Sequence, residues 1–240
     1  MNFGLSEEQE MIVNTVRSFV EKEIYPHEDL VEQSAEVPRE IAQDIKQKTI
    51  DIGFYACNFP ESVGAAGLSH VDFALVEREL GRGSMALTHF FGRPQNILMA
   101  CQGTQVERYL RPAIRGEKMD ALAMTEPGAG SDVRGMACSA QRAGGDWVLN
   151  GNKHFISGAE HADFVIVFVA TGVDETPRGP KKRITTFLVD RGTPGFTIRE
   201  GYKSVSHRGY KNMILEFDNC RLPDAQVLGE VDGGFSVMNE

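Results

Sequence analysis

Ala123-Met-Thr-Glu-Pro-Gly-Ala-Gly-Ser-Asp-Val133 divides the chain into two stretches with different grammar. It reads as a polar turn carrying Gly128 and Gly130, flanked by extended residues. Downstream, Asn150-Gly-Asn-Lys-His-Phe-Ile-Ser-Gly158 returns an aromatic and a hydroxyl to the same neighbourhood. Asn150-Gly151, between Trp147-Val-Leu149 and His154-Phe-Ile156, is a strong hairpin signal. Strand-like runs follow at 164–170, 184–189, 196–199 and 213–217, separated by Gly, Pro and Asp turns. Regularly spaced short strands predict a small antiparallel β-barrel or sandwich over 119–230.

Upstream, residues 1–118 follow the helical period and predict an all-α bundle. Ser6 and Gln9 form a capping box ahead of a stripe of Ile12, Val16, Phe19 and Val20, and Pro26 ends that helix. Pro38 opens a second helix carrying Ile41, Ile45 and Ile52, stopped by Gly53. Ser69 and Asp72 open a third through Phe73, Val76 and Leu80 to Gly81. Ser84 starts a fourth, kinked near Pro94. Thr104 with Glu107 caps a fifth, carrying Tyr109, Leu110 and Ile114. A further helix begins near Asp232, so residues 231–240 read as the opening of another helical domain. The fold class expected is α+β, with more than one domain.

The chain has 240 residues, 41% hydrophobic and 25% charged, an ordinary composition for a globular protein. A net charge of -9 argues against nucleic acid as a partner, because phosphate binding needs a basic face. The one basic run, Lys181-Lys182-Arg183 with Arg178 nearby, reads as a solvated loop. Cys57, Cys101, Cys138 and Cys220 are scattered without a C-x-x-C pair, which fits thiols in a reducing compartment. The first residues carry acids where a signal peptide needs bases, and the apolar run 164–170 is too short to span a bilayer. No membrane partner is expected, and the location expected is the cytoplasm, or the mitochondrial matrix in a eukaryote.

Helical bundle, then β-domain, then the start of a helix, with Thr125-Glu-Pro-Gly-Ala-Gly-Ser-Asp132 at the first junction: this order resembles the acyl-CoA dehydrogenases. The likeness extends to Leu5-Ser-Glu-Glu-Gln9, the 60–67 loop, Glu79-Leu-Gly81, Asn150-Gly-x-Lys153, Thr193-Pro-Gly195 and Leu228-Gly229. It implies a flavoprotein that binds FAD and α,β-dehydrogenates an acyl-CoA thioester. Electrons would pass to an electron-transferring flavoprotein, and the protein would be a homo-oligomer, a tetramer or dimer. The family's third, C-terminal four-helix domain has no counterpart within residues 1–240. No catalytic residue is therefore assigned here; the carboxylate base is expected beyond Glu240, and Glu240 itself is not taken for it.

By the resemblance, Leu122, Met124 and Thr125 meet the isoalloxazine, Phe155 packs on its face beside Ile156, and Ser157 approaches N5. Gly130 lets the backbone approach the cofactor, and Ser131 lies between cofactor and thioester, binding substrate as well. Each residue has a plainer reading on its own. Thr125 and Ser131 can close their own backbone, Phe155 can be a core aromatic, and Ser157 a turn hydroxyl. Glu126 and Asp132 read as structural members of the turn. Gly128-Ala-Gly-Ser-Asp-Val133 is not a dinucleotide fingerprint, since position 133 is Val and no strand–helix unit surrounds it.

Departures from the family pattern are Leu122 for an aromatic, Phe155 for Trp and Ser157 for Thr; stacking and hydroxyl functions survive in the last two. His89, Phe90, Phe91 and Arg93 fall where the family often lines its acyl pocket, though a packed His and a surface Arg are the reading the sequence favours. Two rival readings stay open: an acyl-CoA oxidase or flavin monooxygenase on the same scaffold, and a truncated module that binds acyl-CoA or a partner without turnover.

Overall fold

The computed structural model describes residues 4–177 and 179–238; Arg178 and Glu240 lie outside them. The described chain forms two compact units. The first runs through Arg93 and takes in Ile114–Gly116 and Ser204–Tyr210. The second comprises Pro94–Ala113, Glu117–Lys203 and the described residues from Lys211 onward.

In the first unit, helix α1 spans Glu7–Phe19 and begins on the expected box: Gln9 N donates to Ser6 Oγ at 3.2 Å, and Ser6 N to Gln9 Oε1 at 3.1 Å. Pro26 does not end the helical path. A π turn at Val20–Ile24 widens the backbone, and α2 (Tyr25–Ser34) restarts with Pro26 in its first turn, where a missing N–H costs nothing. Helix α3 (Arg39–Asp51) buries Ala42, Ile45 and Thr49, whereas Ile52, expected on that stripe, sits at the C-cap and is exposed. Helix α4 (His70–Leu80) is capped by Ser69, whose Oγ accepts from Asp72 N.

The expected fourth helix is cut short. Helix α5 (Met85–Thr88) passes through a 3-10 turn at His89–Phe91 and stops at Gly92, φ 81°, two residues before Pro94. A Cβ on Gly92 would stand 1.9 Å from the Tyr55 ring, so close packing terminates the helix rather than proline. The core gathers Val16, Phe19, Ile24, Ile45, Phe59 and Phe91, with Phe19 edge-on to Phe91 at 5.3 Å. Full burial of each such side chain contributes about 1.5–3 kcal/mol.

The second unit holds the helical segment around Val106–Leu110 and α6 (Arg111–Ile114) as far as Ala113, opened by Gln105 Oε1 accepting Gln102 N–H rather than by Thr104 with Glu107. Eight strands form one curled, mostly antiparallel sheet: β1 (Asp120–Ala123), β2 (Ser139–Ala143), β3 (Asp146–Ser157), β4 (Phe164–Thr176), β5 (Gly179–Asp190), β6 (Phe196–Tyr202), β7 (Asn212–Pro223) and β8 (Val227–Leu228). Their order is β6-β7-β3-β2-β4-β5-β8, with β1 parallel to β4 off that path. Trp147, Leu149, Val167, Phe187, Leu215 and Phe217 pack in its core.

Asn150-Gly151 does not turn the chain. β3 runs straight through it, and the reversal falls at Gly144-Gly145, between paired Ala143 and Asp146. Gly151, φ 130°, instead marks a register shift against β7, and a Cβ there would lie 2.7 Å from Cys138 Cα. The basic run is likewise no solvated loop. Lys182 and Arg183 belong to β5, where Lys182 Nζ donates to Met136 O and Arg183 pairs with Asp174 and Asp232.

Candidate functional site

Strand β1 alternates: Ala121 and Ala123 enter the sheet core, while Asp120, Leu122 and Met124 keep partial exposure on the other face. Past Ala123 the chain leaves the strand, and Glu126 and Ala129 close a four-residue turn by donating to each other's carbonyls at 3.0 and 3.1 Å. Glu126 has the structural role read for it. Its carboxylate is 4% exposed, accepts Ala137 and Cys138 N–H, and lies 2.7 Å from Lys153 Nζ. Lys153, fully buried, also donates to Met124 O at 2.9 Å.

Beyond that anchored base the loop is open. An ideal Cβ on Gly128 or Gly130 meets nothing within 4 Å, and neither residue needs positive φ. The chain's own packing does not call for glycine there, whereas a bulky ligand approaching the backbone would. Ser131 is exposed beside them. The Thr125 N–H meets no acceptor among the described residues, although Thr125 O takes His154 N–H at 2.9 Å.

Strand β3 comes back under this loop and breaks register between Lys153 and Ile156. At the bulge Phe155 adopts φ 55°, a left-handed conformation that costs an L-residue roughly 1–2 kcal/mol. The side chain is consequently turned out of the sheet and is 49% exposed, with His154 at 4.2 Å and Tyr202 at 4.3 Å between ring centroids. Strain of this kind collects where a side chain must be aimed. Ile156, by contrast, lies in the core, so only its main chain is left to meet a ligand. Ser157 is part-buried, its hydroxyl donating to Asn212 Oδ1 at 3.1 Å.

Leu122, Met124, Thr125, Gly130, Ser131, Phe155 and Ser157 thus lie on two hydrogen-bonded segments of one unit, joined by the His154–Thr125 bond and the Lys153–Met124 bond. Chemically, the group offers an aromatic face, an unengaged main-chain donor, three hydroxyls and an open glycine loop. It suits a planar ring system with acceptors along its edge. The sequence reading names Lys153 only as part of the Asn150-Gly-x-Lys153 likeness and gives no role to it or to Asn212: a buried lysine is rare, and each acts through a partner far away in sequence. His89 and Arg93 lie in the other unit. His89 packs against Phe90 and Tyr210, and Arg93 pairs with Glu77 at 2.9 Å.

Two family models match in succession, the acyl-CoA dehydrogenase N-terminal domain over residues 6–117 and the middle domain over 121–220. Benzylmalonyl-CoA dehydrogenase of Aromatoleum aromaticum is 34% identical, over 97% of this chain and 60% of that protein. The caffeyl-CoA reductase–Etf complex subunit CarC of Acetobacterium woodii is 32% identical, over 96% and 60%. A glutaryl-CoA dehydrogenase from Mycobacterium smegmatis, solved in complex with FADH2, superposes with a TM-score of 0.80 at 29% identity, over 97% of this chain and 58% of that one. The chain spans about 60% of the length of the relatives it matches. Matched by both domain models over residues 6–117 and 121–220, the chain belongs to the acyl-CoA dehydrogenase family.

Proposed function

We propose that the full-length protein binds FAD at this turn and bulge, and uses it to remove hydrogen from the α- and β-carbons of an acyl-CoA thioester. The observation that carries the reading is Phe155, an exposed aromatic held at φ 55° beside a glycine loop whose Cβ positions meet no described residue within 4 Å. The residues fit a flavin: a π face, a free amide donor and a hydroxyl are what its ring, pyrimidine edge and N5 require. When bound, FAD supplies the redox step by accepting the β-hydride.

The remaining work falls to the chain's own groups. Phe155 packs on the ring and excludes water; Met124 and Thr125 meet the pyrimidine edge; Ser157, steadied by Asn212, faces N5; Ser131 borders the thioester. Glu126 is not the base, because Lys153 and two amides already hold its carboxylate. The α-proton is assigned to a carboxylate outside residues 1–240. An electron-transferring flavoprotein is the proposed acceptor, a reading supported by the relative named for an Etf complex. The proposed working form is a homo-oligomer.

That same relative is a reductase, which favours a second reading in which the site runs toward the saturated thioester. Both are tested by recording the visible spectrum and solution mass of the purified protein, then adding saturated and unsaturated acyl-CoAs anaerobically, aryl-substituted ones included. Bleaching by a saturated thioester supports dehydrogenation. Reoxidation of pre-reduced protein by an unsaturated one, without that bleaching, supports the reductase. A protein that takes up no FAD overturns both.

A further inference from the structure

We infer that Lys153 is a positioning residue that polarises the Met124–Thr125 peptide and aims its N–H at the ligand. In a trans peptide the C=O and N–H point to opposite sides. Lys153 Nζ takes the Met124 carbonyl from beneath, at 2.9 Å, so the Thr125 N–H is turned the other way, toward the open side of the loop, and no described residue accepts it. The next peptide is fixed as well: Thr125 O receives His154 N–H and Glu126 N–H goes to Ala129 O. Of the four polar groups on these two peptides, the Thr125 N–H is therefore the one left free among the described residues.

The chemistry of the anchor matters as much as its geometry. A neutral side chain could close the same contact without burying a charge, and burying an ammonium is costly unless it is matched. Here it is matched by Glu126, whose oxygens are further satisfied by Ala137 and Cys138 N–H. An ammonium on a carbonyl withdraws electron density through the amide and strengthens the N–H on the far side. Such a donor discriminates between a neutral acceptor and one that gains negative charge. Resting on the FAD reading, the consequence is that Lys153, acting through the Thr125 N–H, favours binding of reduced over oxidised flavin.

The test uses the full-length protein with K153M, and with K153M/E126Q, which leaves no unpaired carboxylate if the single variant misfolds. In the FAD-free protein the Thr125 amide proton is expected to move upfield in the 15N-correlated NMR spectrum. With FAD, the ratio of reduced to oxidised dissociation constants is expected to rise about tenfold, a fall of about 30 mV in the two-electron midpoint. A folded variant that leaves the Thr125 shift and this ratio unchanged overturns the assignment. If wild type binds no FAD, the functional reading fails on its own, and the Thr125 shift still decides whether Lys153 polarises the peptide.

Discussion

The Phe155 ring rests 4.3 Å from that of Tyr202 although Phe155 sits at φ 55°, so the contact is held against the backbone preference of an L-residue. Glycine has no such preference. F155G is expected to be more stable than F155A by about 1 kcal/mol, reversing the usual order of these residues in a strand. Both variants lose the aromatic face, and FAD affinity is expected to fall about tenfold in each, the order of one lost stacking contact. Urea titration followed by Trp147, the single tryptophan, reads the stabilities. An F155A protein as stable as F155G would mean that the left-handed bulge is not enforced.

Glu79 is 2% exposed and meets Arg17 at 3.0 Å, Arg78 at 2.8 Å and Arg82 at 3.8 Å. The hydrogen bonds from Arg17, then those from Arg78, hold its carboxyl below the ordinary carboxylate range, against the opposing effect of burial. A carboxyl depressed in the folded state stabilises above its unfolded value, and that stability is lost as pH falls through the folded value. E79Q is expected to cost about 1–3 kcal/mol at pH 7. The gap to wild type should close toward pH 3, followed by far-UV circular dichroism. A gap independent of pH would show that the carboxylate charge is not what joins α1 to α4.

Asp120 runs the other way. Burial pushes its carboxyl up to about 6, only partly offset by the hydrogen bond from Gln95 N–H at 3.2 Å. The folded state therefore holds the proton more tightly than the unfolded one. The stabilisation is full below the unfolded value and is lost as pH rises through about 6. D120N keeps an acceptor for Gln95 and removes the charge. It is expected to be more stable than wild type by on the order of 1–2 kcal/mol at pH 7–8, with no gain near pH 4. Parallel pH curves, read by Trp147 fluorescence, would sink this account.

Local signals in the sequence hold at two helix caps and fail at Thr104 with Glu107, where Gln105 takes the Gln102 N–H instead. Ser6 with Gln9 and Ser69 with Asp72 cap helices because the partners lie within one turn. The change from helical to strand grammar near residue 120 is likewise a matter of period. What could not be read depended on distant neighbours. Pro26 is tolerated because a π turn precedes it, the fourth helix stops because Tyr55 crowds Gly92, and Lys153 is buried because Glu126 awaits it 27 residues upstream. In the site, the glycine loop, the aromatic and the hydroxyl were legible as residue types. The bulge that turns Phe155 outward was not, because period-2 alternation has no symbol for an extra residue.

Gly151 puts that distinction to the test, since its hairpin signal is genuine in isolation and overruled in the fold. An alanine Cβ at 151 would stand 2.7 Å from Cys138 Cα, on a backbone at φ 130° that L-residues rarely adopt. The neighbour is main chain just ahead of β2 and cannot swing aside. G151A is expected to destabilise the sheet unit by more than about 2 kcal/mol, within the range for overpacking combined with backbone strain. Gly145, in the turn that does reverse the chain, has open space around its Cβ position and no positive φ, so G145A is expected to stay within about 0.5 kcal/mol of wild type. Had Asn150-Gly151 been the turn, Gly151 would sit at positive φ in open space, and G151A would cost only about 1 kcal/mol. Urea midpoints of the two variants, measured side by side, decide which pair of residues reverses the chain.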